Sequence, residues 1–288
     1  MIKLALQDLG LLRKAWRIPL ARNLFVYDLT GLESIEDPLE FSEAVSLLRT
    51  ESLHGKTTAR HRFRDLDARA AVHLSGLERP VVHDIAVSTG ITSRELFEAL
   101  AGAGLPPELH ISDKYWLYYC SGRRLVRVFG ADRRFLYAYC FGLLADPGLP
   151  RKYFLSRLLF RLLEPLTSFP DAPRRLVLFD AETRRWLQEG KLCQLDYDVF
   201  ETRLPGRFDF VRCMNLLNLN SWFTREQLRT ALANLKASMR EGAVLLVGRT
   251  DDRTGVNAAG FYRRNGDRLV LLEAVNGGSE LHGLLEAA

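Results

Sequence analysis

The stretch HDIAVSTGITSRELF, His83 to Phe97, places an acid, Asp84, in an apolar run. Small residues follow at alternate positions, Ala86, Ser88 and Gly90, and then a helical pattern. Residues of this size at this spacing let a ligand approach the backbone, and the first amides of the following helix favour an acceptor or anion there. That is the chemistry of a nucleotide-binding turn. Ala86 and Ser88 stand where glycine is usual, so an unstrained turn requires negative φ at both, whereas Gly90 is free to take any conformation. A dinucleotide fingerprint needs glycine at the positions of Ala86, Ser88 and Ile91; none is present, which argues against an NAD or FAD enzyme.

Other sets of residues compete less well. HGKTTAR, His54 to Arg60, has the ending of a phosphate loop, but the first glycine of G-x-x-x-x-G-K-[ST] would fall at Thr50 and no strand precedes it. Arg123, Arg124, Arg127, Arg133 and Arg134 are interleaved with Tyr118, Tyr119, Phe129, Phe135 and Tyr137. Such interleaving makes a stacking surface for nucleic acid, or a meander with one packed and one solvated face. The alternation favours the meander, and nucleic acid is not expected as a partner. Six histidines show no metal-ligand spacing, and Cys120, Cys140, Cys193 and Cys213 form no CxxC pair. No metal is expected, His83 and His110 read as structural, and the cysteines read as reduced, mostly buried thiols.

The turn needs a frame, and the pattern supplies one. Residues 1–80 read as a helical cap, and residues 81–288 read as an α/β domain. VVHDIAV, the turn, the helix SRELFEALAGAG and the strand ELHISD make a βαβ unit, which implies a parallel sheet. Residues 115–173 interrupt it with an antiparallel meander and a basic amphipathic helix, RKYFLSRLLFRLLEPL, stopped by Pro165. The rhythm resumes with RRLVLFD, AETRRWLQEG, LCQLDYDVF and FDFVRCMNLL. A helix capped by Gly242 then leads into AVLLVGRT, and a hairpin turns at Asn265-Gly266.

With 47% hydrophobic residues in 288, the chain has material for a large packed core. Its 40 basic and 35 acidic residues leave +5, enough for a basic patch and too little for a basic protein. No apolar run reaches the roughly 20 residues of a spanning helix, and MIKLALQDLGLLRKAW lacks the apolar stretch of a signal peptide. A cytoplasmic location is expected.

The segment from Val81 to Asp252 resembles the class I S-adenosylmethionine-dependent methyltransferases. Their first motif is an acid followed by alternating glycines, here Asp84, Ala86, Ser88 and Gly90. VSTGITSREL looks most like the loop of the chemotaxis-receptor (protein-glutamate) type, and FDFVRCMNLLNLNSWF is similar to that group's fourth strand, with Asn215 its asparagine. That type carries an antiparallel subdomain between its last two core strands, where this chain has only the tight turn at Asn265-Gly266.

The resemblance implies an α/β, Rossmann-like seven-stranded mostly parallel sheet with a C-terminal antiparallel hairpin, an N-terminal helical cap and an inserted meander plus helix. It implies S-adenosylmethionine as cofactor, bound by Asp84, Ala86, Ser88, Thr89 and Gly90 of the turn. Asp113 would accept from the ribose hydroxyls, with Lys114 beside it. Asp198 would lie near the adenine amino group, with Asp196 the competing choice, Val199 would offer its amide to the ring, and Asn215 would face the methyl donor. Thr57, Thr58 and Arg60 are weaker candidates for a segment over the cofactor. The implied reaction is in-line transfer of a methyl group to an O, N or S nucleophile of a small-molecule or peptide acceptor, with no universal catalytic residue; the hydrophobic and basic composition of residues 115–173 points to an acceptor of apolar or anionic character. The alternative is an inactive binding or scaffold protein of the same shape, with the basic helix resting on a membrane surface.

Overall fold

The computed structural model describes residues 29–46, 58–140, 143–145, 158, 161, 167–219, 223–251 and 253–286. The amphipathic N-terminal pattern, Thr57, and all of the basic helix except residues 158 and 161 lie outside them. In chain order the elements are a 3-10 turn (Leu29–Ser34), α1 (Pro38–Ser46), α2 (Arg64–His73), β1 (Val81–Ile85), α3 (Ile91–Gly102), β2 (Glu108–Ser112), β3 (Leu117–Ser121), β4 (Leu125–Phe129), β5 (Phe135–Cys140), β6 (Leu143–Ala145) and β7 (Arg174–Val177). They continue with α4 (Ala181–Gln188), β8 (Leu192–Gln194), β9 (Phe208–Met214), α5 (Arg225–Ser238), β10 (Met239–Thr250), β11 (Asn257–Asn265), β12 (Arg268–Val275) and α6 (His282–Glu286). Two compact units result: Met1–Thr58 with Tyr115–Glu182, and Ala59–Lys114 with Thr183–Ala288.

The first unit is built on an antiparallel sheet in the order β6-β5-β4-β3-β7. Its strands alternate as the meander pattern predicts. Tyr118, Cys120, Val126, Val128, Tyr137 and Tyr139 pack with Leu29, Leu32, Phe41 and Val45 into one core. On the other face, Phe169 lies edge-on to Tyr119 and Phe129, with the Arg133 guanidinium 5.4 Å from its ring centre, so these aromatic residues are engaged with one another. The run at Arg174, expected to resume the parallel sheet, instead pairs antiparallel with β3, Leu117 opposite Val177. It is too short and too exposed at Arg174 and Arg175 for a doubly covered parallel strand.

The second unit carries the mostly parallel sheet, in the order β12-β11-β10-β9-β1-β2-β8. β8, β2, β1, β9 and β10 run parallel, and β11 and β12 close the sheet antiparallel. β1 is central, and its residues are buried beyond the first, as a strand covered on both faces must be. α5 starts at a reciprocal capping box of Thr224 and Gln227 and lays Leu228, Ala231, Leu232 and Leu235 against Val211, Cys213 and Leu245.

Three boundaries differ from the sequence pattern. α5 ends at Ser238, four residues before Gly242, because fully buried Met239 pairs with Phe208 and opens β10; Gly242 sits in the irregularity before Val244. β8 keeps only Leu192–Gln194 of LCQLDYDVF. In the last hairpin Asn265 pairs with Arg268, so the loop is Gly266-Asp267, with the left-handed residue, Gly266, in its first position.

Candidate functional site

The carboxyl edge of β1, β2 and β8, where ligands of open α/β sheets bind, carries most of the predicted residues. β1 ends at Ile85 and α3 begins at Ile91. Between them Ala86, Ser88 and Gly90 all take positive φ, 61°, 57° and 89°. The negative φ that alanine and serine prefer is therefore not adopted. A left-handed residue with a Cβ costs about 1–2 kcal/mol, and the loop accepts that cost twice. What holds it is backbone bonding: Ala86 and Val87 donate to the Ser112 carbonyl at 2.8 and 3.3 Å, and Gly90 donates to Val87 at 3.0 Å. Below Gly90 there is no room, since an added Cβ would lie 2.4 Å from Cγ2 of fully buried Thr183. Thr89 is buried, and the buried Ser88 hydroxyl has no hydrogen-bond partner among the described residues.

Asp113 follows β2 directly and accepts the Ser88 amide on Oδ2 at 2.8 Å. This bond ties the turn to the neighbouring strand and sets a half-buried carboxylate at the sheet edge. Next to it, Lys114 donates from Nζ to Oδ2 of Asp198 at 2.6 Å. Asp198 Oδ1 accepts the Phe200 amide at 2.9 Å, and its own amide donates to Thr202 Oγ1 at 3.1 Å. Val199 is buried, and its carbonyl accepts from Asn234. Asp196, the competing acid, is exposed. The turn, Asp113, Lys114 and Asp198 thus lie in sequence along one edge.

Asp84 is placed elsewhere. Its carboxylate is buried and receives Nε and Nη2 of Arg212 at 2.8 and 2.6 Å, and Ser93 Oγ at 2.6 Å. Arg212 is fully buried on β9. It also donates to Asp67 of α2 at 2.6 Å and to the Thr92 carbonyl at 2.8 Å, with the Phe63 ring 5.2 Å away. Burial pushes the Asp67 carboxyl up to about 7; Arg212 opposes this and Asp84 adds to it. Arg212 itself is held above its usual range: burial works against the charge, but the two carboxylates outweigh it. This cluster fastens α2, β1, α3 and β9 together, so Asp84 supports the turn from behind.

Asn215 follows β9 with a φ of 59°, and its side chain is committed. Oδ1 accepts the Thr250 amide at 2.6 Å and Nδ2 donates to Thr250 Oγ1 at 3.2 Å. Thr250 Oγ1 donates to Asn257 and accepts from Arg62 Nε, while Asn257 Nδ2 donates to the Arg62 carbonyl. The segment before α2 is thereby tied to the ends of β9, β10 and β11, with Arg60 exposed just before it.

His83 Nε2 lies 2.8 Å from Ser112 Oγ, and burial, with His110 and Arg207 nearby, lowers its pKa to about 3. A neutral core imidazole results. Cys213 is buried and its thiol is pushed up to about 12 by that burial, so it is inert at neutral pH. Among the described residues no group of three or more His, Cys, Asp or Glu could hold a metal ion.

Arg212 and Thr183 were not singled out by the sequence pattern. Arg212 had a signal, a guanidinium in the middle of the apolar run FDFVRCM, which demands buried acids opposite it. Thr183 had none.

No protein-family profile matches the chain, and no curated protein matches it in sequence. Solved structures do match. N-methyltransferase NodS from Bradyrhizobium japonicum, in complex with S-adenosyl-L-homocysteine, is 15% identical over 76% of this chain and 76% of its own, with a TM-score of 0.35. 1,6-Didemethyltoxoflavin-N1-methyltransferase from Burkholderia thailandensis, with 1,6-didemethyltoxoflavin and S-adenosylhomocysteine bound, is 16% identical over 79% and 71%, with a TM-score of 0.32. An amino pentose methyltransferase from Micromonospora echinaspora, bound to S-adenosylmethionine, is 15% identical over 70% and 61%, with a TM-score of 0.30. In a matched chain from Methanococcus maripaludis this protein spans 57% of the length, and in the Micromonospora chain 61%, less than two thirds of either.

Proposed function

We propose that the protein is an S-adenosylmethionine-dependent methyltransferase whose cofactor lies along the carboxyl edge of β1, β2 and β8. The observation that carries this reading is the strand–turn–helix with left-handed backbone at Ala86, Ser88 and Gly90, bonded through the Ser88 amide to Asp113 at the tip of the next strand. Strained backbone is retained where the surroundings over-determine it, and such places cluster at ligand sites.

The residues suit the group in part. Asp113 offers an acceptor carboxylate for paired hydroxyls, and the Ser88 amide holds it at the sheet edge. Thr183 supports Gly90 from below, so the turn is firm. Asp84 takes no direct part, being consumed by Arg212 and Ser93. S-adenosylmethionine supplies a methyl group already activated on sulfur; the protein's share is to bind, orient and keep water away. The acceptor atom is an oxygen, nitrogen or sulfur nucleophile. A carboxylate acceptor requires no base, whereas a hydroxyl or ammonium does.

The test is calorimetric titration with S-adenosylmethionine and S-adenosylhomocysteine, beside the Asp113→Ala variant. Micromolar binding that weakens at least tenfold in a variant with wild-type circular dichroism supports the site. A folded wild-type protein that binds neither compound overturns it.

A further inference from the structure

Asp198 is the acid at the β8 end of the edge, and its carboxylate is already engaged. The Lys114 ammonium lies 2.6 Å from Oδ2, and the Phe200 amide donates to Oδ1 at 2.9 Å. The two partners are unequally sheltered: the Lys114 side chain is 53% exposed and that of Asp198 only 16%. The ammonium therefore reaches the carboxylate from the solvent side, while the loop holds it from within. Because the sheet runs β1-β2-β8, a ligand stretched from the turn across Asp113 arrives next at this ion pair. The ammonium occupies the exposed side of Oδ2, the side from which a donor on such a ligand would come.

Resting on the adenosine-site reading above, we infer that the Lys114–Asp198 ion pair is a latch over the base end of the site. In the free protein Lys114 holds Asp198; an adenine amino group takes the same oxygen only when the ammonium swings out. Lysine suits this role, since its charge sits on a flexible four-carbon stem, and a half-exposed pair is worth little enough to be exchanged. The latch also bears on specificity. A 6-oxo base has no amino donor for Asp198 but presents an acceptor to the released ammonium, so Lys114 narrows the preference for adenine over hypoxanthine.

The experiment is titration of wild type, Lys114→Met and Asp198→Ala with S-adenosylhomocysteine and its inosine analogue. Lys114→Met frees the carboxylate and binds S-adenosylhomocysteine about three- to fivefold tighter, the scale of a surface ion pair. It also discriminates more strongly against the inosine analogue. Asp198→Ala binds S-adenosylhomocysteine more weakly than wild type. Opposite signs for the two variants are required, because a merely structural pair would weaken binding from either side. Unchanged or weaker binding by Lys114→Met, with wild type binding normally, overturns the latch alone. No binding by any of the three, all folded, overturns the adenosine site and the latch with it.

Discussion

Ser88→Gly is expected to stabilise the protein, an unusual outcome for a substitution in a ligand-binding turn. Ser88 sits at a φ of 57°, and returning that position to glycine relieves about 1–2 kcal/mol of left-handed strain. Its hydroxyl is buried with no partner among the described residues, so deleting it removes a further ~1–3 kcal/mol of unmet desolvation. Glycine's larger freedom in the unfolded chain takes back about 0.5–1 kcal/mol. The balance is a gain of about 3 kcal/mol. Ala86→Gly shares the strain relief, at a φ of 61°, but has no hydroxyl to lose, so it stays within about 1 kcal/mol of wild type. The Ser88 amide that binds Asp113 survives in glycine, so affinity for S-adenosylhomocysteine should hold in both. Urea unfolding at matched m-values reads the difference. A Ser88→Gly protein less stable than wild type, or less stable than Ala86→Gly, would show that the hydroxyl has a partner or that the turn is not strained.

Gly90→Ala drives a methyl group to 2.4 Å from Thr183 Cγ2 at a φ of 89°; strain and overpacking together should cost about 3 kcal/mol, and pairing it with Thr183→Ala should recover the overpacking part in the same urea series. Arg212→Met leaves Asp67 and Asp84 buried without their cation and should cost about 3–5 kcal/mol, measured as a lost or strongly lowered unfolding midpoint at pH 7. Asp67 binds its proton more tightly in the folded protein, near 7 against 3.8. Its contribution is whole below the lower value and declines as pH climbs through the upper, by up to about 4 kcal/mol. Asp67→Asn keeps an acceptor for Arg212 and drops the titration, so the variant should gain on wild type between pH 4 and pH 7; parallel stability curves over that range would contradict the assignment.

The sheet was readable because its signals are local. An apolar run, small residues and a helix repeat at a fixed spacing, and Val81 to Ser112 folds as that spacing requires. The meander was readable for the same reason, since alternation over 117–140 needs only its own neighbours. Where a segment's fate depended on a distant partner, the pattern misled. RRLVLFD looks like any parallel strand, and only its pairing with β3, more than fifty residues earlier in sequence, puts it in the other sheet.

The site divides along the same line. Asp113 stands at the strand tip where the pattern put it, and the turn's bond to it follows from adjacency of β1 and β2. Asp84 was assigned to the cofactor because the resemblance makes it the acid of the first motif. Its role was decided by Arg212, 128 residues away, and a carboxylate receiving two guanidinium bonds and a hydroxyl has little left for a ligand. The charge inside FDFVRCM was the available warning. A fully buried arginine must find anions, and among the acids of the βαβ unit Asp84 is the one that the strand itself buries. Read jointly, the two charges imply one another: an acid in β1 and a base in the parallel strand beside it neutralise each other before either reaches the site.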